Sequence, residues 1–481
     1  MDAYPIKPKD LQGLQIGRFG PCCFENPLKK AGARGVRFVA DDQFVDVYTT
    51  HKHISAFKAA CEGDEGQKRD EGQKSEEGQK GGEGQNGDEG VEPPTFEMAG
   101  AREKIFFNPA ETTVGIVTCG GLCPGLNDVI RTLTLTSVWQ YGVKKVLGFT
   151  YGYSGLSKNA HSEPILLNPQ VVETIHNDGG TILSAGRGPQ QPADMVDHLE
   201  EADVDILFTV GGDGTMRGAR EIVKEIQRRN GKISVIGVPK TIDNDLVGVE
   251  RSFGFSTAVE TSRAAIIGAH NEARGAWNGI GLVQLMGRHS GFIAAAATLA
   301  NSDVNFCFIP EDPVPLNGPD GLLKNLEARL AAKRHAVIVV AEGACFVDDA
   351  GPAETRKDAS GNVMAKDVGV YLENRIISHM KTQGIPISLK YIDPSYIIRS
   401  QPANSDDSAF CLELGVHAVH AAMAGRTDMI ISYWNQHFVH VPMELPTLGR
   451  KKVNPEGDLW QAVLTTTGQV VAPVHKAHAK I

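Results

Sequence analysis

From Lys104 onward, the chain repeats one pattern: a short apolar segment, a glycine-containing turn and then an amphipathic segment. The segments TVGIVTC, DILFTV and ISVIGVP are examples of the apolar element. Apolar strands that alternate with helices are typical of a parallel sheet with helices on both faces. In such sheets, the loops at the carboxyl ends of the strands form the ligand crevice. The pattern therefore predicts an α/β fold of doubly wound sheets, with a functional site in the glycine-containing loops.

Most of the formal net charge of -10 lies in one acidic repeat. Residues 62–92 hold 11 acidic and 4 basic residues in hexads such as EGQKRD and EGQKSE, so the rest of the 481-residue chain carries about -3. Such hexads have no apolar face to bury, and we predict a disordered insert over residues 62–95, after an N-terminal extension at 1–61. The weak remaining charge argues against a nucleic-acid partner. The chain also has no apolar run of about 18 residues, which argues against a membrane span.

The stretch VGGDGT follows one apolar segment and precedes a helix-like segment. Glycines at 211, 212 and 214 let backbone N–H groups approach an anion, and the positive end of the following helix dipole points toward it. Bare phosphate would repel Asp213, so its presence favours a Mg²⁺ ion between the two. Thr215 adds a hydroxyl near the helix start. The alternative is a glycine-rich turn in which Asp213 only caps the helix.

A second loop of the same kind occurs in TCGGLCPGLND. Gly120 and Gly121 follow an apolar segment there, and we expect Asn127 or Asp128 to cap the next helix. The turn SAGRGPQ contributes a basic residue, Arg187, beside Gly188. Two strand–glycine–helix elements in one domain predict a site for a nucleotide di- or triphosphate.

The stretch GVPKTIDNDL contains Lys240, Thr241, Asp243 and Asp245 directly after an apolar segment. In an extended loop, two carboxylates two residues apart point the same way, and two close like charges raise the pKa of one of them. A carboxylate with a raised pKa suits a general base that takes a proton from an alcohol as it attacks phosphorus. The alternative is an Asx-rich turn that binds its own backbone.

Further candidates follow later segments. Arg288 in LMGRHSG could stabilise a transferring phosphoryl group or bind a sugar phosphate. Glu342 in VVAEGA could hold sugar hydroxyls, and the stretch LKYIDPSYIIR offers Lys390, Tyr396 and Arg399 for a second phosphate.

With TCGGLCPGLND, GGDGT, PKTIDND, MGR and YIDPSYIIR in this order, the chain resembles the 6-phosphofructokinase family, and within it the ATP-dependent branch of plants and trypanosomatids. The match covers about 104–445. The resemblance implies two doubly wound α/β domains with the active site in the cleft between them. It implies a nucleotide-binding part over about 104–240, a sugar-phosphate part over about 241–400, a chain that crosses back afterwards, and a C-terminal extension at 446–481.

The resemblance implies a glycolytic kinase that transfers the γ-phosphoryl group of ATP to the 1-hydroxyl of fructose 6-phosphate, with Mg²⁺ held by Asp213. Asp243 would be the proton acceptor, with Thr241 beside it, and Lys240 and Arg288 would offset the charge on the γ-phosphoryl group. The implied ATP contacts are Gly121, Arg187, Gly188, Gly212, Asp213, Gly214 and Thr215. The implied substrate contacts are Thr241, Ile242, Asp243, Met286, Gly287, Arg288, Glu342, Lys390, Tyr396, Ile397, Ile398 and Arg399.

Two residues of these loops bear on the phosphoryl donor. In the resembled family, glycine after GGD leaves room for the α-phosphate of ATP, so Gly214 indicates ATP. Lys240 stands where pyrophosphate-dependent members also carry lysine, so pyrophosphate is the alternative donor. NAD and lipid kinases share GGDGT, but they lack the PKTIDND and MGR loops that this chain has.

The resemblance also implies allosteric control and a homo-oligomer, either a dimer or a tetramer. The C-terminal residues Ala479, Lys480 and Ile481 approximate the small-basic-aliphatic peroxisomal signal. Two locations therefore stay open, the cytoplasm and a glycosome-like or peroxisome-like organelle.

Overall fold

A computed structural model describes residues 13–30, 36–49, 93–158, 160–348 and 367–469, together with Ile6, Asp10, Leu11 and Ile54. The predicted disordered insert lies outside these described residues except for its last three positions, and so does the C-terminal tripeptide. No helix in the described part is long and apolar enough to cross a membrane.

The strands within the described residues form two main sheets and two short antiparallel pairs. They are β1 (Gly17–Arg18), β2 (Phe24–Glu25), β3 (Phe44–Asp46), β4 (Thr95–Met98), β5 (Lys104–Ile105), β6 (Thr113–Thr118), β7 (Lys145–Phe149), β8 (Ile165–Leu167), β9 (Ile206–Gly211), β10 (Ser234–Pro239), β11 (Gly279–Leu285), β12 (Phe306–Phe308), β13 (His335–Ala341), β14 (Ser388–Ile392), β15 (Arg426–Thr427), β16 (Met429–Trp434) and β17 (His437–Pro442).

The α-helices of the described residues mostly connect these strands. They are α1 (Pro27–Lys30), α2 (Leu126–Leu135), α3 (Pro192–Glu201), α4 (Asp213–Arg228), α5 (Phe255–Gly275), α6 (Phe292–Leu299), α7 (Leu322–Lys333), α8 (Val368–Thr382), α9 (Ser395–Ser400), α10 (Ser405–Met423) and α11 (Asp458–Thr467). A π-helical segment at Thr136–Tyr141 continues α2, and 3₁₀ turns lie at Gly152–Leu156, Ile175–Asn177 and Leu445–Thr447.

The larger sheet has nine strands in the order β3-β4-β17-β16-β10-β9-β6-β7-β8. Its five central strands, β16 to β7 in that order, are parallel, and antiparallel strands extend it at both edges. Helices α2 and α10 contribute to the core on one face, and α3 and α4 contribute to the core on the other. Strands β9 and β10 are buried along their whole length, which explains their nearly continuous apolar sequence.

The smaller sheet has four parallel strands in the order β12-β13-β11-β14. Helices α5 and α6 cover one face, and α7 and α8 cover the other. Both main sheets therefore carry helices on both faces, which confirms the predicted α/β class and the doubly wound architecture.

The expected side-chain cap of α2 was wrong. Helix α2 begins after Gly125, whose φ of 98° is accessible to glycine, and no side chain caps this end. Asn127 accepts a hydrogen bond from the backbone N–H of Ile182, and Asp128 accepts one from the Ser408 hydroxyl. Both side chains therefore make tertiary hydrogen bonds and do not cap the helix.

The described part of the N-terminal region joins the larger sheet through a buried ion cluster. Strand β3 pairs with β4, and β1 pairs with β15. The carboxylate of Glu97 on β4 contacts the guanidinium groups of Arg18, Arg102 and Arg426 at 3.2, 3.0 and 2.6 Å. Burial alone would raise the pKa of Glu97, but its hydrogen bonds and charge contacts with His440 and Arg426 hold that pKa far below its usual value.

Candidate active site

A cavity of about 1040 Å³ opens between the two main sheets. Its lining includes the residues directly after β6, β9 and β10 of the larger sheet and after β11 and β13 of the smaller one. These are the carboxyl ends of parallel strands, where an open α/β sheet binds ligands. The predicted site residues that line it are Gly121, Arg187, Gly188, Gly212, Asp213, Gly214, Thr215, Lys240, Thr241, Ile242, Asp243, Met286, Arg288, Glu342 and Arg399.

The two predicted phosphate loops lie side by side on one wall of this cavity. The N–H of Gly120, which has a φ of 89°, donates to the backbone oxygen of Gly186 in the third glycine-containing turn at 3.1 Å. The ammonium of Lys240 donates to the backbone oxygen of Gly121 at 2.9 Å and so connects the first loop to the end of β10. Burial lowers the pKa of Lys240.

Asp213 is the first residue of α4, at the helix end where the dipole is positive. Its Oδ2 atom accepts hydrogen bonds from Arg217 at 3.0 Å and Arg450 at 3.3 Å. Burial would raise the pKa of Asp213, but these two guanidinium groups outweigh it and hold the pKa below its usual value. The carboxylate is therefore ionised at neutral pH, and both guanidinium contacts are to its Oδ2 atom.

A cation at this position would rely on few protein ligands. No group of three or more His, Cys, Asp and Glu side chains suited to a metal occurs among the described residues. Mg²⁺ is commonly bound by one or two carboxylates together with substrate phosphates and water. One ionised aspartate beside two glycine-rich loops fits that kind of site.

The acid–base loop, residues 240–245, is not extended as the sequence analysis assumed. It turns at Ile242 and Asp243, and Asn244 has a φ of 53°. This strained backbone is held by the Asn244 side chain, which accepts from the Ser252 N–H and donates to the Glu250 backbone oxygen. The side-chain partners of Asn244 therefore lie outside the loop, and the bend turns both aspartates to the cavity lining.

Asp243 and Asp245 have different partners despite their proximity. The Thr241 hydroxyl donates to Oδ1 of Asp245 at 2.8 Å, and Arg450 donates to its Oδ2 at 2.6 Å. Burial, followed by the negative charges of Asp245 and Glu342, raises the pKa of Asp243 to about 7. A carboxyl group that exchanges a proton near neutral pH is suited to general-base chemistry.

Across the cavity, Glu342 positions the backbone of Arg288. The Glu342 carboxylate accepts from the Arg288 N–H at 3.0 Å, and the Glu342 N–H donates to the Leu285 oxygen at the end of β11. Arg288 has a φ of 49°, and a Cβ at Gly343 would lie 1.9 Å from the Arg288 oxygen. This crowded turn aims one cation into the cavity, and burial raises the pKa of Glu342.

Some predicted substrate contacts lie outside the cavity lining. Lys390 is exposed on β14, while Tyr396 and Ile397 on α9 are 80% and 68% exposed. Ile398 is buried in the hydrophobic core, so only its backbone could contact a ligand. Gly287 lies between the lining residues Met286 and Arg288. The roles of these residues stay predictions.

Sequence reasoning missed Arg217 and Arg450. Arg217 lies one helical turn after Asp213, so the i,i+4 spacing could have suggested the pair. Arg450 lies in the stretch TLGRKKV, more than 200 residues after either of its carboxylate partners. No local pattern marks it, because only the return of the chain brings it to the cavity.

Comparisons with known proteins agree with the motifs. Residues 113–422 match the family model described as Phosphofructokinase. The chain is 50% identical over 385 residues to an ATP-dependent 6-phosphofructokinase of Borreliella burgdorferi, covering 78% of this chain and 85% of that one. It is 48% identical over 390 residues to an ATP-dependent 6-phosphofructokinase of Trypanosoma brucei brucei, covering 80% and 79%.

A solved structure shares the fold at low sequence identity. The crystal structure of pyrophosphate-dependent phosphofructokinase from Marinobacter aquaeolei aligns with a TM-score of 0.60 and 18% identity. The alignment covers 76% of this chain and 94% of that one. At this identity the likeness concerns the fold alone.

Proposed function

The chain belongs to the phosphofructokinase family, and from this premise we propose that it is an ATP-dependent 6-phosphofructokinase. It transfers the γ-phosphoryl group of ATP to the 1-hydroxyl of fructose 6-phosphate and produces fructose 1,6-bisphosphate and ADP in glycolysis. The observation that carries the proposal is that a single cavity contains both the GGDGT loop and Asp243, a buried carboxyl group with a pKa of about 7. The names of the relatives from Borreliella burgdorferi and Trypanosoma brucei brucei support ATP as the donor.

The larger sheet would bind the donor. The backbone N–H groups of the glycine-rich loops and the start of α4 suit phosphate oxygens. A Cβ at Gly214 would have no atom closer than the Arg217 guanidinium at 3.8 Å, so glycine leaves the cavity open where a longer acidic side chain would enter it. Asp213 would hold Mg²⁺ together with the phosphates. When bound there, Mg²⁺ would offset negative charge on the phosphoryl oxygens.

Asp243 would accept the proton of the sugar 1-hydroxyl. As this proton moves to the carboxylate, the sugar oxygen forms a bond to the γ-phosphorus and the bond to the β-phosphate oxygen breaks, which releases ADP. Arg288 and Lys240 would stabilise the charge on the transferring group. Glu342 would act by holding the backbone of Arg288, and Arg399 at the cavity wall would contact the sugar phosphate.

We also propose a homo-oligomer, either a dimer or a tetramer, under allosteric control, with its location either in the cytoplasm or in a glycosome-like organelle. Size-exclusion chromatography with light scattering measures the oligomer. Imaging of the full chain against one that ends before Ala479 tests the C-terminal signal, and an unchanged distribution would contradict a role for that signal.

The test of the proposed function is formation of fructose 1,6-bisphosphate by the purified protein with fructose 6-phosphate and Mg²⁺, with ATP and pyrophosphate compared at equal concentration. We expect turnover with ATP alone. Turnover with pyrophosphate alone would make Lys240 and its surroundings the donor-selecting feature. No turnover with either donor would contradict the proposal, and omission of Mg²⁺ tests the metal separately.

A further inference from the structure

The segment after β17 lines part of the active-site cavity with Thr447 and Arg450. We name residues 444–457 the strap. Glu444 at its start accepts a hydrogen bond from Arg220 of α4 at 2.8 Å. Toward its end, the Lys452 ammonium donates to the His289 backbone oxygen, and the Val453 N–H donates to Glu311, both beside the smaller sheet. The strap therefore contacts both walls of the cavity.

In its middle, the strap is fixed to the acid–base loop. Arg450 forms an antiparallel bridge with Leu246, and the Lys451 N–H donates to the Asp245 backbone oxygen at 2.7 Å. The ammonium of the half-buried Lys451 donates to the backbone oxygens of Val249 and Glu250 at 2.8 and 3.1 Å. These contacts position the backbone of Arg450 without using the charge of its guanidinium group.

The guanidinium of Arg450 joins two carboxylates from two different loops. Its Nη1 atom is 2.6 Å from Oδ2 of Asp245, and its Nη2 atom is 3.3 Å from Oδ2 of Asp213. Asp213 follows β9 and Asp245 follows β10, which are neighbouring parallel strands. Without a cation between them, the two carboxylates would repel each other, and a planar guanidinium can satisfy both at fixed spacing where a single ammonium cannot.

We infer that Arg450 is a positioning residue for phosphoryl transfer: it holds the acid–base loop, through Asp245, against the nucleotide loop at Asp213. The inference rests on the proposed function, since it assigns the donor to one loop and the acceptor base to the other. The spacing of these loops sets the distance between the sugar hydroxyl and the donor phosphorus. Misplacement of reacting groups by about 1 Å can cost about 100-fold in rate.

The experiment compares wild type with Arg450→Met and Arg450→Lys by steady-state kinetics and by calorimetric titration of ATP with Mg²⁺. We expect Arg450→Met to lower kcat by about 100-fold, with KM values and the ATP dissociation constant changed by less than about threefold. Arg450→Lys keeps one cationic contact, so its kcat should be about tenfold higher than that of Arg450→Met. Because Arg450 acts through Asp245, the double variant Arg450→Met with Asp245→Asn should lose less than the product of the single effects.

Arg251→Met is the matched control. Arg251 pairs with Asp406 at 2.7 Å and lies outside the cavity lining, so its loss should change kcat by less than about twofold. A wild-type kcat in Arg450→Met would overturn the inference. So would a weaker affinity for ATP at unchanged kcat, or a fall in melting temperature that parallels kcat in both Arg450 variants. A wild type inactive with both ATP and pyrophosphate would instead overturn the proposed function, and the Arg450 role with it.

Discussion

Replacement of Asp243 by asparagine should make the protein more stable and nearly inactive. Burial and the neighbouring carboxylates raise the pKa of Asp243 from 3.8 to about 7 in the folded protein. A carboxyl group whose pKa is raised on folding contributes stability below its unfolded-state pKa and loses it as the pH rises through the folded value. Keeping Asp243 ionised above pH 7 therefore costs about 4 kcal/mol of folding free energy.

The pH dependence of this cost is what the assay measures. Between pH 6 and pH 8 the cost grows by about 1.4 kcal/mol, mostly below pH 7, because there the folded protein still holds a proton that the unfolded chain has lost. Urea unfolding of wild type and Asp243→Asn at both pH values should show a higher free energy of unfolding for the variant at pH 8. The difference in free energy between the two proteins should be smaller at pH 6. The same variant should lose about 10²- to 10⁴-fold in kcat, the usual range for loss of a general base.

Two results would refute the reasoning. If the stability gap is the same at pH 6 and pH 8, Asp243 does not titrate in that window. If Asp243→Asn is less stable than wild type at pH 8, the carboxylate is stabilised by its surroundings and its pKa is not raised. The surface variant Asp178→Asn is the control. Its urea midpoint of unfolding should differ from that of wild type by the same amount at both pH values.

Three further predictions concern other parts of the molecule. The kcat/KM of wild type should fall as the pH drops below about 7. Asp245→Asn should shift this fall to lower pH, because it removes a negative charge that raises the pKa of Asp243. A fall at the same pH as in wild type would contradict that cause. Gly214→Asp should lower kcat/KM for ATP by more than about 100-fold at unchanged melting temperature. A like charge about 4 Å from a phosphate costs about 4 kcal/mol at an effective dielectric constant of 20. An unchanged kcat/KM for ATP would refute this prediction. Glu97→Gln should lower the free energy of unfolding by about 3 to 5 kcal/mol in urea denaturation, because it leaves buried guanidinium groups without their carboxylate; a change below 1 kcal/mol would mean that Asp41 compensates.

The sequence by itself determined the fold class, and most of the site residues that it predicted line the cavity. Apolar strands and glycine turns are local features, so the loops after β6, β9 and β10 could be recognised without knowing which strands are neighbours. Parallel strands place their carboxyl ends at one edge of a sheet, and this rule was sufficient to bring the GGDGT loop and the acid–base loop together.

Only the tertiary structure decided which charges meet. The backbone of the acid–base loop turns at Ile242 and Asp243, and contacts with Ser252 and Glu250 hold Asn244 in a left-handed conformation, which spacing alone could not indicate. Arg450 reaches Asp213 and Asp245 from more than 200 residues away, and the raised pKa of Asp243 depends on burial and on Glu342 of the other sheet. Electrostatic interactions depend on distance in space and on burial, and neither quantity is encoded in the separation of residues along the chain.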